Sequence, residues 1–449
     1  MKKLLSILFL SWLLLASGCG NQGSLSDGAA GTGTVSKAEI AATEKEKLVI
    51  TWYYFPVFAE SGDRLIDGSY EKYLAVNFTR LHPEIEVELE PVDFESGPEK
   101  LRLAIERQEA DVVFDAPGRL VAYGKAGKLE ELNEWFDDKF LTDVDNAALV
   151  KACSYKGWYY MYPLSSSPFY MAFNKERLET AGALGLVREG WTTDEFLQVL
   201  QKLHQAGYMG GSVFCRGTGG DQGTRAFVCN LFGAELISSD LSAYRLNSEP
   251  GIQGLALVKQ LVDKGWMTDG SFFNGSDEIN NFVNGKTSFT ILWGGAQLKA
   301  KENLLSANNI HIIEVPFPTP KGEPKLEYLL NGFAVVKNKQ AQKVAASKLF
   351  VKYLCDDKEI GRLNVMQSGG QPVRKSFSDI NKTAELQKLN RWTRYYSVYY
   401  NTVDGFSTMR SAWIDMLQAI LKGTVDPVQG AANFVREADA SLQKAVDHP

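Results

Sequence analysis

Residue types that break bonds are present in this chain, but they are not grouped for it. The four histidines, His82, His204, His311 and His448, are widely separated, and no HExxH or other close pairing gathers metal ligands. No GxSxG elbow presents a nucleophilic serine, and no GxxxxGK[ST] loop cradles a phosphate. Gly217-Thr-Gly-Gly-Asp-Gln-Gly223 is a Gly-rich loop between an apolar run and a helix. Its backbone N–H groups suit an oxygen-rich ligand, and it serves equally well as a plain connection. Acidic residues are plentiful enough to supply a glycosidase pair, yet nothing marks one out. Tyr53, Tyr54, Asp115 and Trp293 differ in that all fall at the carboxyl ends of predicted strands, where open α/β sheets hold their ligands. For the rings the competing role is core packing, and for Asp115 a cap on the following helix.

The elements that position these residues alternate. Leu48 to Tyr54 is an apolar, β-branched run that predicts a strand. A Pro/Gly-containing loop to Gly68 follows, then a helix over 69–81 with Tyr70, Tyr73, Leu74, Phe78 and Leu81 on one face. Ile85, Val87 and Leu89 alternate as a second strand. Leu101, Leu103 and Ile105 suggest another helix, and Asp111 to Phe114 a buried parallel strand ending at Asp115. This βαβ order predicts an α/β sheet with helices on both faces. Further on, Thr192 and Glu195 have capping-box spacing ahead of Phe196, Leu200 and Leu203. Leu255 to Val262 and Ala346, Leu349, Phe350, Tyr353 and Leu354 make further helical stripes. Strands are expected at Ser288–Leu292, Ile310–Val315 and Phe333–Val336.

At 449 residues the chain has room for two or three domains, and its 45% hydrophobic and 23% charged residues are ordinary globular values. The formal charge of −6 has the wrong sign for a nucleic-acid binder. Lys2, Lys3, the apolar run Leu4–Ala16 and the small residues before Cys19 read as a signal peptide. No later stretch is apolar for long enough to span a membrane. From Gly20 to about Lys47 the composition is polar and free of aromatic residues, which predicts an unfolded tether. Roughly 27 such residues reach about 30 Å. Cys153, Cys215, Cys229 and Cys355 are too few for a disulfide scaffold. Cys215 and Cys229 flank the Gly-rich loop and either bridge or stay buried as free thiols.

The cysteine at the cleavage site resembles the lipobox of bacterial lipoproteins, with Cys19 as the lipidated residue. Asp111-Val-Val-Phe-Asp115 with Tyr123-Gly-Lys-Ala-Gly-Lys-Leu-Glu130 resembles the strand, helix and G-x-L block of extracellular solute-binding proteins (family 1) of ABC importers. Tyr162 to Leu178 is similar to that family's crossing segment, from an aromatic-Pro pair to an aromatic-Asn-Lys. Asn284 to Trp293 resembles its G-K stretch, and Val315-Pro-Phe-Pro-Thr-Pro with Asn331-Gly-Phe-Ala-Val-Val its Pro-rich turn and return strand. The matches run from about Leu48 to Leu442, and sugar-binding members are nearest in layout.

The resemblance implies an α/β, two-lobed periplasmic-binding-protein-like fold of type II, with discontinuous lobes and an interlobe cleft. Carried onto this sequence, residues 1–18 are the signal peptide and 19–46 the lipidated tether. Residues 47–163 and 331–374 make lobe 1, and 164–330 and 375–449 make lobe 2. The implied activity is capture, not catalysis: a sugar or oligosaccharide is bound outside the cell membrane and delivered to an ABC import permease by a lipid-anchored monomer without a cofactor or metal. A pyranose has an apolar face for aromatic rings and a rim of hydroxyls for charged or amide partners. Tyr53, Tyr54 and Trp293 would supply rings, Asp115 an acceptor, and Arg216, Arg374 or Arg410 donors, with Asn331 a further ligand-binding candidate. Each arginine has a competing role as a surface or interlobe ion pair. The rival class is an exported lyase or hydrolase with Asp115 as catalytic carboxylate.

Overall fold

The computed structural model describes residues 47–444 apart from 59–68, 94–95, 218–220 and 381. Cys19 and the expected signal peptide and tether lie outside the described residues, and the described residues form one compact unit.

The chain begins with β1 (Leu48–Tyr54), α1 (Ser69–Leu81), β2 (Ile85–Pro91), α2 (Gly97–Arg107), β3 (Val112–Asp115) and α3 (Pro117–Lys125). Short helices α4 (Asp138–Asp143) and α5 (Ala147–Lys151) lead to a hairpin, β4 (Ser154–Tyr155) and β5 (Trp158–Tyr159). Then β6 (Tyr162–Pro168) runs straight on through Phe169 into β7 (Tyr170–Asn174). After it come α6 (Lys175–Thr180), α7 (Thr193–Gln205), β8 (Ser212–Phe214), α8 (Asp221–Phe232), α9 (Glu249–Asp263) and β9 (Thr268–Gly270). α10 (Gly275–Val283), β10 (Phe289–Trp293), α11 (Gly295–Ala307) and β11 (Ile312–Val315) follow. The chain returns through β12 (Tyr328–Val335), α12 (Ala341–Asp356), α13 (Ile360–Ser368) and β13 (Gln371–Pro372), and ends with α14 (Ala384–Trp392), α15 (Phe406–Leu421) and α16 (Pro427–Lys444).

These elements build two lobes, each with its own apolar core. The first sheet has the order β13-β6-β12-β3-β1-β2, with β1 parallel to both β2 and β3, and β12 antiparallel to β3 and β6. Its core joins Trp52, Phe114, Phe333 and Phe350; the Phe114 and Phe333 rings stack at 4.5 Å. In the second lobe, the sheet β10-β7-β11 packs Phe173 and Phe289 beneath Trp191 and Phe196, while α15 and α16 pack on each other through Trp413 and Phe434 and both lie against α9. β6 belongs to the first sheet and leads through Phe169 into the second core, and β12 enters the first sheet from Leu326 of the second core, so both lobes are discontinuous in sequence.

Most expected elements appear, with differences that have physical causes. The strand expected at Phe333–Val336 starts five residues earlier, at Tyr328. Asn331-Gly332 reads as a turn dipeptide, but here Gly332 lets β12 pass close to β6 at a bulge: a Cβ on it would lie 2.3 Å from the Tyr162 carbonyl oxygen. On α1 the buried side is Tyr70, Glu71, Leu74, Ala75 and Phe78, while Tyr73 and Leu81 face solvent. Leu349 of α12 is likewise exposed. The capping box of α7 forms, with Thr192 and Glu195 satisfying each other's backbone N–H. Cys215 and Cys229 are free thiols, and burial pushes both up to about 12.

Candidate functional site

The first sheet has a topological switch point. β2 lies on one side of β1 and β3 on the other, which puts the carboxyl ends of β1 and β3, at Tyr54-Phe55 and Asp115-Ala116, where open α/β sheets hold their ligands. Asp115, only 4% exposed, sits at this edge, and the chain turns there into α3, which has Pro117 in its first turn. One turn along, Arg119 reaches back and donates to Asp115 through Nε (2.5 Å) and Nη2 (2.6 Å). The Ala116 N–H adds a third bond at 2.7 Å.

Arg119 lies 4.5 Å from the Phe55 ring centroid, its side chain is 37% exposed, and its Nη1 meets no acceptor among the described residues. The result is a carboxylate fixed in a bidentate fork, with the guanidinium lying over the buried Phe55 ring and one of its edges unengaged among the described residues. Burial, and then the Asp115 charge, push the nearby Tyr123 phenol up to about 12, so it stays a neutral hydroxyl across physiological pH.

The second lobe presents a charge network of its own. α8 opens with Asp221, whose carboxylate receives Arg410 Nε at 3.0 and 3.1 Å as well as Arg410 Nη2 and Arg225 Nη1. Arg225 is fully buried; it donates to the Tyr400 hydroxyl (2.7 Å) and to Glu327 (3.3 Å), and Tyr400 in turn donates to Glu327. Two arginines thus meet two carboxylates, which keeps buried charge compensated. A cavity of about 100 Å³ lies behind the network, lined by Cys229, Asn230, Glu327, Val398 and Tyr400. It belongs to the second lobe and does not reach the switch point.

The structure brings Tyr54 and Asp115 together at the carboxyl ends of the paired strands β1 and β3. Tyr54 is buried with its ring 5.2 Å from Trp52, and Tyr53 points the other way, 5.9 Å from Lys100 of α2. Arg410 stands at the head of α8 on the other lobe. Arg216 is exposed beside residues 218–220. Asn331 lies in β12 opposite Ser165 of β6, where the chain crosses between lobes. Arg374 is taken up elsewhere in the first lobe, bonded to Asp143 (2.8 Å) and Asp356 (2.7 Å). Trp293 has no exposed surface; it packs edge-on against Phe282 of α10 at 5.5 Å and offers no face to a ligand in this arrangement.

Sequence reasoning passed over Arg119, although its i,i+4 spacing from Asp115 was a usable signal. It also passed over Asp221 and Arg225, which have the same spacing. Among the described residues no group of His, Cys, Asp and Glu is placed to hold a metal ion, and no helix is long and apolar enough to cross a membrane.

Comparison with known proteins adds three findings. The family profile described as "Bacterial extracellular solute-binding protein" matches residues 62–359, well over half of the chain. No curated protein sequence matches. Among solved structures, the GacH receptor of Streptomyces glaucescens, studied unliganded and with acarbose, superposes with a TM-score of 0.73 at 18% identity, covering 88% of this chain and 99% of its own. An ABC transporter solute-binding protein of Thermotoga lettingae bound with α-D-tagatose gives 0.74 at 17% identity, covering 88% and 100%. Maltose-bound MalE3 of T. maritima gives 0.69 at 17%, covering 88% and 99%. At these identities the likeness is one of fold.

Proposed function

The chain belongs to the bacterial extracellular solute-binding proteins, and from that premise we propose that it is a receptor that captures a sugar or oligosaccharide between its lobes and delivers it to an ABC import permease. Cys19 would carry the lipid that anchors a monomer to the outer face of the cell membrane. The observation that carries the ligand class is the Asp115–Arg119 pair beside Phe55 at the switch point. A paired acceptor and donor at a strand end match adjacent hydroxyls on a pyranose. The pair's geometry suits binding: Arg119 engages both Asp115 oxygens and holds the carboxylate in one fixed orientation. Structural relatives whose ligands are acarbose, tagatose and maltose support the same class. Tyr54 and Arg410 stay in the proposed site as its flanks. Asn331 remains as a crossing-strand residue that ligand closure would bring in.

A thermal-shift screen against mono- and oligosaccharides tests the reading, because a ligand at 100 times its Kd adds about 2.7 kcal/mol. Replacing Arg119 with Ala should then weaken the hit tenfold or more, about 1.4 kcal/mol. A screen in which no carbohydrate raises the melting temperature counts against a sugar receptor, and an unchanged Kd in the Arg119 variant moves the site away from the switch point.

A further inference from the structure

Resting on the two-lobed receptor reading, we propose that Lys125 and Asp404 form an ionic latch that holds the lobes together before any ligand arrives. Lys125 is the last residue of α3 in lobe 1, and Asp404 lies in lobe 2 just ahead of α15. The Lys125 ammonium donates to Asp404 Oδ1 at 2.7 Å and to the Thr402 carbonyl at 2.9 Å, and it stands 4.6 Å from the Tyr155 ring centroid. The two side chains are 18% and 36% exposed, so the pair is partly withdrawn from water while salt still reaches it.

The segment that carries Asp404 is pinned at both ends of its path between the lobes. Tyr399 packs into the lobe-1 core, its ring 5.1 Å from Tyr328, while the next residue, Tyr400, is held in lobe 2 by Arg225 and Glu327. Asn401 follows so close to α3 that a Cβ on Gly118 would lie 2.8 Å from its carbonyl oxygen. Neighbouring residues anchored in different cores leave almost no slack, because one residue spans at most about 3.6 Å. Rotation of lobe 2 away from α3 must therefore either drag Tyr399 out of an apolar core or part Lys125 from Asp404 and Thr402. Extracting a buried aromatic side chain is the dearer of the two. The latch gives first and sets how readily the free protein opens.

Small-angle scattering on the full chain without ligand tests this, comparing wild type with Lys125→Gln, Asp404→Asn and the double variant. At about 0.05 M salt each single variant should raise the radius of gyration by on the order of 1 Å above the roughly 22 Å expected for a compact chain of this size. The double variant should expand no further than the larger single change, since one contact is lost in all three. Wild type at about 1 M salt, where the Debye length is about 3 Å, should approach the variants. Single variants with the wild-type radius overturn the latch, as do expansions that add in the double variant. A lowered melting temperature with an unchanged radius also overturns it, by reducing the pair to a stabilising contact. No ligand enters the measurement, so its failure leaves the sugar reading standing, and a failed sugar screen leaves the latch standing.

Discussion

Glu278 of α10 is the most displaced carboxyl with consequences near neutral pH. It is fully buried beneath β10 and accepts the Ser212 hydroxyl, and burial pushes it up to about 8. A folded-state value above the unfolded one means that the folded protein binds the proton more tightly, so stability is intact below about pH 4.5 and declines as pH rises towards 8. The melting temperature should fall across that window, and Glu278→Gln should flatten the profile; a wild type with no decline would place the carboxyl in a more polar setting. Trp293 makes a second residue-scale test. A fully buried indole truncated to Ala should cost about 3–5 kcal/mol of stability, read as a lowered melting temperature. If that loss comes with an unchanged Kd, Trp293 is a packing residue and leaves the set of binding candidates. The sequence placed it correctly at a strand end but could not show which way the ring turns, because β10 shifts register between Thr290 and Trp293.

At the scale of elements, α8 is held by charge as much as by apolar contact. Replacing Arg225 with Ala would leave Asp221 and Glu327 facing each other's surroundings without their shared cation, and breaking such a buried set typically costs about 3–5 kcal/mol. Urea unfolding of the variant should show that loss, and a near-neutral result would mean Arg410 alone compensates Asp221. The network was illegible in the sequence because its members are far apart along the chain, joining α8, β12's approach and α15. Local signals were legible: the strand at Leu48–Tyr54, the helix at 69–81 and the capping box at Thr192 all follow from short-range pattern. So was the candidate site's edge at Asp115, since a compact apolar run ending in a carboxylate marks a strand's carboxyl end. Arg119's role needed the fold, because Phe55 and Asp115 come together only when β1 and β3 pair.

For the whole molecule, the anchor prediction stands apart from the fold: Cys19→Ser should move the protein from the membrane to the soluble fraction, and unchanged partition of the variant would remove Cys19 as the lipid site. Ligand should also draw the lobes together about β6 and β12, visible as a smaller radius of gyration on binding in the Lys125→Gln variant, whose lobes the latch no longer holds; an identical radius in that variant with a ligand proven to bind would exclude closure about these strands. The same crossing strands bear on how the protein comes into being. β12 sits between β6 and β3 in the first sheet, so its arrival closes a loop of more than two hundred residues with β3. The amino-terminal lobe therefore cannot complete its sheet until the second lobe has largely been synthesised, and pairing over such distances is slow. A chain threaded outward from its amino terminus would thus remain export-competent through most of its translation, with no early-folding domain to block its passage.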